Sequence, residues 1–62
     1  MRMQKLGDKW YLKDMARIIG TTYPHGGGWC INGEDDNGQP FTTWTQKESR
    51  AVHLLKKYTG YK

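Results

Sequence analysis

The clearest hydrophobic rhythm lies near the end of the chain. Ala51, Leu54, Leu55 and Tyr58 recur at spacings of three and four, with Val52 at the margin, while Ser49, Arg50, His53, Lys56 and Lys57 fill the opposite side. That period predicts an amphipathic helix over residues 46–58. Thr45 and Glu48 have capping-box spacing, Lys56 and Lys57 suit the negative end of the helix dipole, and Gly60 is a stop. Tyr61 and Lys62 are a short tail. Before this helix, Trp29-Cys30-Ile31 and Phe41-Thr42-Thr43-Trp44 are rich in strand formers and are separated by Asn37-Gly38, a strong hairpin signal. The expectation is a β-hairpin with strands at 28–34 and 40–45. A two-residue turn sets Ile31 opposite Trp44, and a four-residue loop over Asp35 to Gly38 sets Trp29 opposite it. Both registers bury Trp29, Ile31 and Trp44 together and turn Cys30, Asn32 and Thr43 outward. Pro40 suits an edge or a bend.

Residues 8–20 are harder to assign. Read with period two, both faces are mixed: Trp10, Leu12, Asp14, Ala16 and Ile18 on one, Tyr11, Lys13, Met15, Arg17 and Ile19 on the other. Read as a helix, Tyr11, Leu12, Met15, Ile18 and Ile19 share one side, Lys9, Lys13 and Arg17 share another, Asp8 caps and Gly20 stops. A helix over 9–19 is therefore expected, although the β-branched pair Ile18-Ile19 opposes it. Met1 to Gly7 has no clear period and is expected to fray. Thr21 to Gly28, with Pro24 and three consecutive glycines, is expected to be a connector.

The predicted fold is a compact α+β domain of order α-β-β-α over residues 1–62, two helices packed on a hairpin. A three-stranded sheet plus a C-terminal helix is the alternative if 10–19 is a strand. The predicted core holds Leu12, Met15, Ile19, Trp29, Ile31, Trp44, Leu55 and Tyr58.

Composition narrows the range of functions. At 62 residues, a ligand cleft of about 300–1,000 Å³ would consume most of the core, which argues against a stand-alone enzyme. One cysteine forms no internal disulfide, and no apolar run approaches a membrane span or a signal peptide. The expected setting is the cytoplasm. The net charge of +4 is unevenly spread: residues 1–17 carry +3, residues 18–46 carry −3 and residues 47–62 carry +4. Two basic ends flanking an acidic middle favour a polyanionic partner.

Specific chemistry is sparse. His25, Cys30 and His53 are the soft ligands and lack zinc-site spacing, so no metal or other cofactor is expected. Glu34-Asp35-Asp36 lacks the alternation and distal glutamate of a calcium loop and reads as a solvated turn. The glycine triplet is not followed by a helix start and reads as a connector rather than a phosphate loop. Candidate phosphate or base contacts are Lys9, Lys13, Arg17, Thr21 and Thr22 around the first predicted helix, with His25 nearby, and Arg50, Lys56 and Lys57 on the last.

The stretch YLKDMARIIGTT resembles the first helix and turn of a helix-turn-helix domain. GGGWCINGEDDNGQPFTTWT followed by QKESRAVHLLKKY looks like a wing hairpin and closing helix. Together they resemble small winged-helix proteins of the phage excisionase and MerR-like group, although Pro24 and the glycines obstruct a recognition helix and the wing tip is acidic. That likeness implies a DNA-binding regulator from a phage or mobile element, acting without chemistry in the host cytoplasm. FTTWTQKESRAVHLLKKY is also similar to the strand-to-helix junction of the arm-site domain of tyrosine recombinases, which has three strands and a helix. DNA is the expected ligand rather than RNA. The alternative is a protein that binds and inhibits or redirects a host enzyme, with Tyr23, Phe41 or Tyr61 as anchors and Glu34, Asp35 and Asp36 meeting a basic surface. A third possibility is single-strand binding through Trp10, Tyr11 or Phe41.

Overall fold

The structure, a computed structural model, describes residues 1–61; Lys62 lies outside the described residues. Five strands precede one helix: β1 (Arg2–Leu6), β2 (Lys9–Asp14), β3 (Arg17–His25), β4 (Gly28–Glu34), β5 (Pro40–Thr45) and α1 (Glu48–Thr59). The strands form one antiparallel sheet in chain order, a simple meander. The helix lies across one face, mainly over β4 and β3. The expected arrangement of two helices on a hairpin is therefore incorrect. The alternative of a sheet plus a C-terminal helix fits, with five strands in place of three.

The expected helix over 9–19 is instead β2, a turn and the start of β3. Its helix-like spacing has a simple origin. A tight turn at Met15-Ala16 and a bulge between Leu12↔Gly20 and Lys13↔Ile18 each reset the inside–outside alternation. Met15, assigned to the core from sequence, is 97% exposed in that turn and holds a left-handed φ of 56°. Residues 2–6 do not fray: Met3 packs against the core and the whole segment pairs with β2. Thr21 to His25 is strand rather than connector, and Gly26-Gly27 alone makes the β3–β4 turn. Both glycines have positive φ, 59° and 78°, as a type I′ hairpin requires.

β4 has the range expected of the first hairpin strand and β5 that of the second, but their register differs from both expectations. Cys30 pairs with Trp44 and Ile31 with Thr43. The connection spans residues 35–39, an odd number. The Asp35 carboxylate accepts hydrogen bonds from the Asn37 and Gln39 amides, both at 2.9 Å, and Gly38 takes a left-handed φ of 79°. A one-residue change of register moves a strand's side chains to the other face. Thr43 and Phe41 thus face the helix, and Trp44 faces away, 48% exposed.

The core is Leu12, Ile31, Ala51, Leu54 and Leu55, with Met3, Ile19, Trp29, Phe41 and Tyr61 packed against it. Tyr58, expected inside, is 43% exposed and meets Phe41 edge-on. At the helix start Lys47 is the cap residue and makes no side-chain capping bond. The expected capping box is absent because the cap falls at Lys47 rather than Thr45, which puts Glu48 at the first helical position, where it bonds elsewhere. Its Oε2 accepts from Lys5 Nζ and from Trp10 Nε1, each at 2.8 Å, tying β1 and β2 to the helix N-terminus. At the other end Gly60 is left-handed and the Tyr61 amide donates to the Lys56 carbonyl at 3.0 Å, a Schellman stop.

The Lys5 ammonium, followed by the Trp10 indole, holds the Glu48 carboxyl below the ordinary glutamate range. A depressed folded-state pKa adds stability that is present above the unfolded value and lost as pH falls through the folded one. Glu48→Gln is expected to flatten the acid limb of stability. Thermal unfolding midpoints followed from about pH 6 down to about pH 3 should fall more for the wild type than for the variant; parallel curves would contradict the assignment.

Candidate nucleic-acid interface

One helix covers one face, so the opposite face of the sheet is open. Strand alternation assigns its side chains. Trp10 and Leu12 point to the helix, so Lys9, Tyr11 and Lys13 point away. Pairing extends this across the sheet. Gln4, Tyr11, Thr21, Asn32 and Thr42 form one row, and Tyr23, Cys30 and Trp44 form the next, with Lys9 and Leu6 at its β2–β1 end. Arg2 and Lys13 lead a third row.

Trp44 is held in place on this face. Its Nε1 donates to the His25 carbonyl at 2.8 Å. Its six-membered ring lies on Gly28, where a Cβ would collide with Trp44 Cζ2 and would stand 2.6 Å from the Thr45 carbonyl oxygen. Gly28 therefore needs no flexible-loop explanation: it is the floor on which the indole rests. Tyr23 is fixed by Asn32 Nδ2, which donates to its hydroxyl at 3.2 Å, and it meets the His25 ring edge-on at 6.4 Å. The adjacent Cys30 thiol holds the Tyr23 phenol above its ordinary range.

The charge on the open face is one-sided. Arg2, Lys9 and Lys13 make no ion pair among the described residues, and the carboxylate of that face, Glu34, is already paired with Arg17. Four of the six acidic residues gather at one end, while Asp8 lies in the β1–β2 turn beside Lys9 and Glu48 at the start of the helix. Asp14, Glu34, Asp35 and Asp36 line a surface cavity of about 450 Å³ near Thr59 and Gly60, where the β2–β3 and β4–β5 turns meet the helix C-terminus. Trp44 is four residues along β5 from Pro40, about 13 Å at the usual rise per residue.

The contacts expected from sequence are therefore divided. Lys9, Lys13 and Thr21 share the open face. Thr22 is fully buried under the helix and donates to the Cys30 carbonyl at 2.9 Å, so it is not a contact residue. Arg17 is occupied by Glu34. Arg50 and Lys57 are exposed on the helix, on the opposite side of a domain measuring 30 × 22 × 16 Å. Lys56 leans over the Tyr61 ring at 5.2 Å. The two basic segments do not merge into one face.

The residues expected to anchor a protein partner are also dispersed. Phe41 and Tyr61 pack on the core, Asp35 organises its own turn, Asp36 lines the acidic cavity, Glu34 pairs with Arg17, and Tyr23 lies on the open face. Of the rings expected to stack on bases, Trp10 is bonded to Glu48 and Phe41 faces the helix, leaving Tyr11. Arg2 and Trp44 were missed by sequence reasoning. Arg2 lay in a segment without period, and Trp44 was placed inside by a register of the wrong parity.

Compared with protein-family profiles, with curated proteins and with solved structures, the chain matches none. What the fold defines is a five-stranded antiparallel meander covered on one side by a single helix. No helix among the described residues is long and apolar enough to cross a membrane.

Replacing Gly28 by alanine must push the indole or the β5 backbone aside. Overpacking of this kind costs about 1–3 kcal/mol. Gly28→Ala is expected to lower the urea midpoint and change the near-ultraviolet tryptophan signal, whereas an unchanged midpoint would show that the ring does not rest on Gly28.

Proposed function

We propose that the protein is a non-catalytic nucleic-acid-binding protein, with DNA as its expected ligand, and that the open face of the sheet is its contact surface. One observation carries this reading: Arg2, Lys9 and Lys13 stand on an uncovered face whose carboxylate is occupied by Arg17. Such a face attracts phosphates. Antiparallel strands are an established support for nucleic-acid contacts, so no recognition helix is needed. Winged-helix docking is not part of this reading, because it needs a helix where β2 and β3 lie.

The acidic turn, which sits awkwardly on a DNA-binding wing, is compatible with this geometry. It lies at the end of the sheet where Glu34 already pairs with Arg17, and leaves the row of Lys9, Tyr23 and Trp44 to the polyanion. Arg50 and Lys57, on the far side, serve as an internal control. Anisotropy of labelled DNA at several salt concentrations provides the test. Lys9→Ala and Lys13→Ala should each weaken binding to all sequences similarly and lower the salt slope by about one. Arg50→Ala and Lys57→Ala should leave the slope unchanged. No measurable affinity at low salt would sink the reading, and a slope that responds only to Arg50 and Lys57 would move the interface to the helix.

A further inference from the structure

We infer that the open face is a stacking platform for an unpaired nucleic-acid strand, with Trp44, Tyr23 and Tyr11 as the ring surfaces and Lys9 and Lys13 beside the backbone phosphates. This rests on the nucleic-acid reading above and names the ligand class within it.

Phosphate attraction alone does not distinguish a duplex from a single strand; the rings do. Tyr23 and Trp44 belong to one row across β3, β4 and β5, separated by Cys30, so their attachment points are about two strand spacings, or roughly 10 Å, apart. Tyr11 lies diagonally from Tyr23 on the adjacent strand, since Tyr11 pairs with Thr21. Diagonal neighbours are about 7–8 Å apart. All three rings are on the side with no covering layer. Bases inside a duplex have both faces occupied by their neighbours, whereas unpaired bases have faces free to stack on aromatic side chains.

The rings are also held in position. Trp44 has its one donor satisfied by the His25 carbonyl and one ring surface lying on Gly28, so the surface turned from the sheet is presented in a fixed orientation. Tyr23 is located by Asn32. An aromatic ring over a strand glycine is also a stabilising device within a sheet. That role accounts for the inner side of the indole; it does not account for a row of rings with Lys9 at its end. The cations match the sugar–phosphate strand, and the rings match its bases. The acidic turn lies about 13 Å along β5 from Trp44.

The test compares labelled oligothymidylate with a duplex of equal length at one low salt concentration, by anisotropy and by intrinsic tryptophan fluorescence. The single strand should bind more tightly and quench the fluorescence. Trp44→Ala should weaken single-strand binding by roughly 5- to 150-fold, the range expected for loss of one stacked base. Trp44→Phe keeps a ring and guards against a variant that fails to fold. It should bind within about threefold of wild type while the quench disappears, because Trp10 and Trp29 face the helix. Duplex affinity equal to or above single-strand affinity would overturn this inference and leave the nucleic-acid reading intact, as would a quench that persists in Trp44→Phe. Binding of neither ligand would remove both.

Discussion

Leu55 is the fully buried residue at the centre of the helix–sheet contact, and it sits where Gly20 has no side chain: a Cβ on Gly20 would stand 2.5 Å from Leu55 Cδ1. This close approach lets a helix of 12 residues reach Leu12 on one side and Ile31 on the other. Burial of apolar area scales with contact, and a chain of this size has little area to spare. The remaining contacts position the same helix. Glu48 fastens its start to Lys5 and Trp10, and the Gly60 stop brings Tyr61 back onto the core.

Because the one helix is spent on one face, the other face is uncovered, and its character follows from strand alternation. The residues out of phase with Leu12 are Tyr11 and Lys13; those out of phase with Ile31 are Cys30 and Asn32. Inner and outer faces are therefore two readings of the same strands. Glycine serves both. Gly20 admits Leu55 from the helix side, and Gly28 admits Trp44 from the open side. Charge adds a direction, with carboxylates at the β2–β3 and β4–β5 turns and lysines on β2 facing out between them and the β1–β2 turn.

How legible each segment was in the sequence depended on its length between interruptions. Residues 46–58 carry an uninterrupted 3.6 period, and the helix there is found at Glu48–Thr59, with its glycine stop at Gly60. The hairpin at 28–45 was visible from strand formers and Asn37-Gly38, yet its face assignment failed. The Asp35 carboxylate adds one residue to the turn, and a change of one in the register exchanges inside and outside. Residues 9–19 misled for a related reason. Six residues of strand, a tight turn and a bulge bring apolar positions to spacings that imitate a helix, and alternation over the whole segment spans two changes of phase. Lys9 and Lys13 would line up on a helix at a spacing of four, but they share a face because both are outward on one strand.

By itself the sequence determined a small two-layered core with a terminal amphipathic helix, a hairpin turning near Gly38, and the segregation of charge into basic ends and an acidic middle. These are local properties, set by period, turn chemistry and residue type. The tertiary structure alone decided which side chains are covered. A strand's two faces are equivalent until something packs on one of them, and the choice was made by Leu55 over Gly20 and by the parity of the Asp35–Gln39 turn. That choice buried Thr22, released Trp44, and separated Lys9 and Lys13 from Arg50 and Lys57, so that the two basic ends of the chain stand on opposite sides of the molecule.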